Sequence, residues 1–101
     1  MIRKKLSEEE ISSSIRFSLE VVKEKYHVDT IAIFGSWARG EAKEDSDIDL
    51  LVDFCPGADL LDLSGLKIYF EDMFGRPVDV VPRRAIREEL KEAILADAKY
   101  I

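Results

Sequence analysis

The 101 residues hold one cysteine, one histidine and one tryptophan, with three prolines and five glycines. A lone Cys55 cannot close an internal disulfide, and with His27 the one imidazole there is no thiolate or imidazole cluster for a transition metal. Any metal must therefore be held by oxygen. Long apolar runs are also missing, since stretches such as Leu50-Leu51-Val52 fall far short of the ~20 residues that span a bilayer. No transmembrane segment is expected. The N-terminus, Met1-Ile2-Arg3-Lys4-Lys5-Leu6, runs into Ser7-Glu8-Glu9-Glu10 with no apolar h-region or small-residue cleavage site, so the expected location is the cytoplasm. Positive charge is scarce overall: the net charge of -6 disfavours a nucleic-acid polymer as substrate, because phosphate-backbone binding needs clustered Lys and Arg. The local basic groups, Arg3, Lys4, Lys5 and Arg83, Arg84, Arg87, read as solvated helix ends that could also meet a nucleotide or an acidic partner.

What is present is a globular composition. With 47% hydrophobic and 36% charged residues the chain is too apolar for a disordered segment and too charged for a membrane protein. A chain of this length buries about two-thirds of the surface its unfolded state exposes, so one domain over residues 1–101 is predicted.

Ser7 and Glu10 have capping-box spacing, and Ile11, Ile15, Leu19, Val22 and Tyr26 recur at helical spacing behind them. His27-Val28-Asp29 ends this helix, with His27 suited to its C-terminus. Thr30-Ile31-Ala32-Ile33-Phe34 reads as a buried strand, followed by a sharp turn at Gly35-Ser36 and a brief helical turn over Trp37-Ala38-Arg39 before Gly40. A second strand runs from Asp47 to Phe54 and closes at Pro56-Gly57. Leu63, Leu66, Phe70, Met73 and Phe74 mark the next helix, which Gly75 terminates. Pro77-Val78-Asp79-Val80-Val81 is the third strand, and Ile86, Leu90, Ala93 and Ile94 place a last helix from about Arg84 towards Lys99. The order α β (short α) β α β α predicts a small α/β sheet with helices against it.

Within this frame three carboxylates break the pattern. Alternation puts Asp47 and Asp49 on the same face of their strand, roughly 7 Å apart, where like charges repel. A hard cation removes that repulsion, and Mg²⁺ typically takes one or two carboxylates plus substrate phosphates. Asp79 interrupts a strand that is otherwise Val-rich, at a cost unless it is paired or metal-bound. If its strand lies beside the second, three carboxylates meet, and two ions about 3.5 to 4 Å apart could clamp an in-line phosphoryl displacement. Gly35-Ser36 supplies the complementary half: glycine lets backbone approach a phosphate, the following turn offers N-H groups, and Ser36 adds a hydroxyl. Singly, each has a plainer reading as a turn, a solvated strand end or a capping aspartate. Together, in this order, they point to nucleotide chemistry.

Gly35-Ser36-Trp37-Ala38-Arg39-Gly40-Glu41-Ala42, followed by Asp45-Ser46-Asp47-Ile48-Asp49-Leu50-Leu51-Val52, resembles the signature of the DNA polymerase β-like nucleotidyltransferase superfamily, and within it the minimal nucleotidyltransferase family. No motif position departs from it, and the lengths before and after also fit. The resemblance implies an α/β (α+β) fold, a small mixed sheet flanked by helices like the polymerase palm. It implies Mg²⁺, as two ions, on Asp47, Asp49 and Asp79, with Asp79 activating the attacking hydroxyl. ATP is the implied substrate, with Gly35 and Ser36 on the triphosphate and Arg39 and Ser46 further nucleotide-binding candidates. It also implies a HEPN-type ribonuclease toxin as partner, neutralised by adenylylation of a tyrosine, in a hetero-oligomer with the toxin or a homo-oligomer.

Other readings remain beside this one. Trp37 can stack on a base or simply pack, and Arg39 can contact phosphate or pair with Glu41 or Asp45. A chain this short carries no evident acceptor-binding domain, so the acceptor is expected to be another protein. A non-catalytic antitoxin that acts by binding alone, and transfer to a small molecule such as an aminoglycoside, are the rival functions.

Overall fold

A computed structural model describes residues 6–101. Arg3, Lys4 and Lys5, from the N-terminal basic group, lie outside the described residues. Helix α1 spans Glu8–Tyr26, opened by Ser7, whose Oγ accepts a hydrogen bond from the Glu10 amide at 3.1 Å. Glu8, Glu9 and Glu10 fill its first turn and Lys23 and Lys25 its last, which suits the helix dipole. Ile11, Ile15, Ser18 and Val22 form its buried side. His27 closes the helix through a left-handed backbone, φ 57°, while its ring turns away to Asp62, 3.1 Å from Nδ1 to Oδ1. The imidazole thus joins a neighbouring helix and does not meet the carbonyls of α1.

Strand β1 (Val28–Phe34) leads straight into the short helix α2 (Gly35–Arg39), which Gly40 ends, and then β2 (Ile48–Phe54) returns antiparallel to β1. Helix α3 (Leu60–Phe74) crosses over to β3 (Val78–Pro82), which runs parallel to β2. The sheet order is β3-β2-β1-β4, where β4 is Lys99–Tyr100, antiparallel to β1. The mixed sheet flanked by helices agrees with the expectation.

Several features differ from the pattern in the sequence, among them β1, which already begins at Val28, and β2, which begins at Ile48 with Asp47 just before it. Helix α3 begins before Leu63 because Asp59 and Asp62 make a capping box around its first turn. The last predicted helix is split: Arg83–Ala85 form a 3₁₀ turn, Ile86 is extended, and α4 covers only Glu88–Asp97. On α4, Leu90 and Ala93 are exposed and Ile94 half-buried, so no single apolar stripe runs through it. Strand β4 was not expected, since a two-residue strand with both side chains exposed has no periodicity to read.

The two faces of the sheet are unequal, and this positions the site. Ile31, Ile33, Ile48, Leu50, Val52, Val78 and Val80 join Ile11, Ile15, Val22, Leu66 and Phe70 in one buried cluster. By strand alternation, Asp49 and Asp79 point to the other face, shared with buried Ala32 and Leu51. That face has thinner cover, with α4 reaching over β1 and α2. Hydrophobic burial thereby fixes the register that turns the carboxylates outward, since a slip by one residue would reverse them. Among the described residues no helix is long and apolar enough to cross a membrane.

Candidate active site

The antiparallel pairing that sets Phe34 opposite Asp49 brings the Gly-Ser turn to the carboxylates. Gly35 has φ +74°, a conformation that L side chains rarely adopt. A Cβ at Gly35 would stand 3.2 Å from Asp49 Cγ and closer still to its Oδ2. A side chain at position 35 would therefore collide with Asp49, a constraint that the sequence alone does not show.

Across the other edge of β2, the parallel register pairs Asp49 with Asp79, and Asp47 stands two residues before Asp49 at the mouth of the strand. Asp49 is half-buried, and Asp47 and Asp79 are exposed. Burial, and then the charges of Asp79 and Asp47, push the Asp49 carboxyl up to about 6, while Arg39 pulls it down. A negative charge at Asp49 is therefore under-compensated, which is the environment a cation relieves.

The outer residues of the motif are held by their neighbours. Arg39 gives Nε to Glu41 at 3.0 Å and Nη1 to Asp97 at 2.8 Å, joining α2 to α4. These two hydrogen bonds, Asp97 foremost, raise the guanidinium pKa above its ordinary value. Glu41 was an expected partner and Asp97, 58 residues away, was not. The Ser46 hydroxyl accepts from the Lys43 amide at 2.8 Å, and the Ser46 amide donates to the Lys43 carbonyl at 2.9 Å, closing the turn that delivers Asp47. Trp37 is 6% exposed, and its Nε1 donates to the Ser46 carbonyl at 3.4 Å, so its indole packs beneath this turn.

Residues 15–101 match the family described as "Nucleotidyltransferase domain". The chain belongs to this family of nucleotidyltransferases. It is 43% identical over 93 residues to a protein of Methanocaldococcus jannaschii named as a candidate protein adenylyltransferase, covering 91% of this chain and 95% of that one. It is 38% identical over 96 residues to the protein adenylyltransferase MntA of Thermococcus cleftensis, covering 95% and 97%. A solved structure described as a candidate minimal nucleotidyltransferase superposes with TM-score 0.82 at 36% identity, over 96% of this chain and 98% of that one. A toxin-antitoxin crystal structure with AMP-PNP shares the fold, with TM-score 0.68 at 21% identity, over 83% and 69%.

For this nucleotidyltransferase the donor set tests the fit of a metal. Among the described residues no group of three or more His, Cys, Asp or Glu is placed to hold an ion by itself. The three aspartates line one edge without forming a cage. Such an edge suits Mg²⁺, which keeps waters and substrate phosphates in its sphere.

Asp49 also carries a prediction for stability. Its carboxyl binds a proton more tightly in the folded state, about 6 against 3.8, so stability falls as pH rises through that window and the penalty is complete above it. Asp49→Asn removes the penalty. In EDTA the variant should melt higher than the parent at pH 8, and the gain should disappear below pH 4. Equal gains at both pH values would contradict the environment assigned to Asp49.

Proposed function

We propose that this nucleotidyltransferase transfers AMP from ATP to a hydroxyl of a partner protein, a tyrosine of a HEPN-type toxin, at the edge formed by Asp47, Asp49 and Asp79. The observation that carries the reading is the register pairing of Asp49 with Asp79 while Gly35 packs against Asp49, which gathers three aspartates and the Gly35-Ser36 turn at one corner of the sheet.

Asp47, Asp49 and Asp79 would hold two Mg²⁺ ions, which when bound neutralise the triphosphate and polarise its α-phosphorus. Gly35 and Ser36 receive the phosphates, Gly35 by its bare backbone and Ser36 by its hydroxyl. Asp79, exposed on the edge strand of the sheet, accepts the proton of the attacking hydroxyl. The bond formed joins the acceptor oxygen to the α-phosphorus, the bond broken is that to the bridging oxygen, and pyrophosphate leaves. Arg39, braced by Glu41 and Asp97, lends positive charge near Asp49, and Ser46 shapes the turn that presents Asp47.

A protein acceptor is supported by the names of the archaeal relatives, which are protein adenylyltransferases. A toxin as acceptor is supported by the fold-level likeness to a toxin-antitoxin complex that holds AMP-PNP. The net charge of -6 disfavours RNA or DNA in that place, and a partner can supply the in-line positioning that phosphoryl transfer needs. Such a complex would be a cytoplasmic hetero-oligomer.

Intact-mass spectrometry of a HEPN-type toxin that co-purifies with this protein, after incubation with ATP and Mg²⁺, gives the test. The expected result is a mass increase of one or a few AMP units on a tyrosine. A toxin neutralised with no AMP-sized increase would replace this reading with an antitoxin that acts by binding alone.

A further inference from the structure

Arg76 and Trp37 carry no carboxylate and touch no reacting atom in the scheme above, yet together they close a circuit of contacts around Asp47. The Arg76 guanidinium lies over the Trp37 ring, 5.3 Å from Cζ to the ring centroid. Trp37 Nε1 donates to the Ser46 carbonyl at 3.4 Å, and the Ile48 amide donates to the Pro77 carbonyl at 3.1 Å. Ser46 and Ile48 flank Asp47, and Pro77 follows Arg76 in the chain. The backbone before Asp47 is thus tied to Trp37, and the backbone after it to the neighbour of Arg76. Asp79 stands two residues beyond Pro77. Because Trp37 belongs to α2, the circuit joins the Gly35-Ser36 turn to the starts of β2 and β3.

Stability does not account for an arginine at this position. Its Nε and Nη1 are enclosed and, among the described residues, have no hydrogen-bond partner, which costs more than stacking on one aromatic face returns. An apolar side chain of similar length would fill the same space at lower cost. What the guanidinium adds is a rigid plane, which lies flat on the indole and fixes the link between α3 and β3 against α2. At Asp49 the cation that acts is Arg39, so Arg76 bears on that carboxylate through contacts and not through charge.

We propose, on the reading of Asp47, Asp49 and Asp79 as one nucleotide site, that Arg76 is a positioning residue. Stacked on Trp37, it holds the turn that carries Asp47 and the strand that carries Asp79 at the separation that metal and nucleotide require.

Arg76→Met tests this, because it keeps an unbranched chain against the indole and removes the plane and the charge. The variant is expected to melt at the temperature of the parent or higher, since two unmet donors are gone. Residue-by-residue hydrogen exchange in EDTA should nonetheless be faster at the Ser46 and Ile48 amides, by about fivefold or more, with the Leu50 and Val52 amides unchanged. ATP affinity in Mg²⁺, measured by calorimetry, and adenylyl transfer should each fall by about tenfold or more, the scale on which small misplacements are felt. If Arg76→Met does not fold, Arg76→Lys replaces it, and a charge without the plane should loosen the same two amides. Unchanged exchange at Ser46 and Ile48 in a folded variant would overturn the proposal. So would exchange raised uniformly along the chain with a lower melting temperature, which marks a packing residue, or ATP affinity and transfer equal to those of the parent. A parent that neither binds ATP in Mg²⁺ nor transfers AMP would refute the proposed function instead, and exchange at Ser46 and Ile48 would still decide whether Arg76 holds the turn.

Discussion

Gly35→Ala is expected to reduce adenylyl transfer by about a hundredfold or more, the scale at which misplacement of reacting groups by roughly 1 Å is felt. Two effects add at this one methyl group. Alanine at φ +74° carries left-handed strain of about 1–2 kcal/mol, and its Cβ would overlap the Asp49 carboxylate, which must shift. The strain alone lowers the melting temperature modestly, because Gly35 sits at a strand end and contributes no core side chain. The displacement of Asp49 acts on function, since Asp49 joins Asp47 to Asp79 through the sheet register. Thermal melts and ATP titration of the same variant separate these effects. Retained fold with ATP affinity unchanged would return Gly35 to an ordinary turn.

Asp79→Asn is expected to abolish transfer, by about 10²–10⁴-fold, the range for losing a positioned general base. The complex with the partner should survive, because Asp79 occupies an exposed edge and its isosteric amide alters no packing. The amide cannot accept the proton of the acceptor hydroxyl and is a poorer ligand for a hard cation. Co-purification followed by intact-mass spectrometry distinguishes the roles. Loss of both complex and transfer would make Asp79 a docking residue, and retention of both would remove it from the chemistry.

Much of this site is legible in the sequence because its departures from pattern are local. Asp47 and Asp49 share parity on a strand whose other side is Ile48 and Leu50, and Asp79 stands among valines, so each carboxylate conflicts visibly with burial. Helix α1 and strands β1 to β3 were legible for the same reason, each having a clear period. The order in which the strands pair leaves no such trace. The contact of Gly35 with Asp49 depends on β1 and β2 being antiparallel neighbours, and the Arg39 tie to Asp97 depends on where α4 comes to rest. Arg76 carried no sequence signal at all, since an arginine before a proline reads as surface until Trp37 is found beneath it. The break at Ile86 and the two residues of β4 were hidden because apolar spacing continued through the break and β4 is too short to alternate.

The central claim is that the three aspartates and the Gly35-Ser36 turn form one metal-dependent nucleotide site. Isothermal calorimetry of ATP binding tests it most directly, run on the parent and on Asp47→Asn/Asp49→Asn, each with Mg²⁺ and with EDTA. The prediction is saturable binding by the parent in Mg²⁺, lost in EDTA and absent from the variant in either buffer, with the variant folded by its melting curve. Equal ATP affinity of the parent with and without Mg²⁺ would contradict the account.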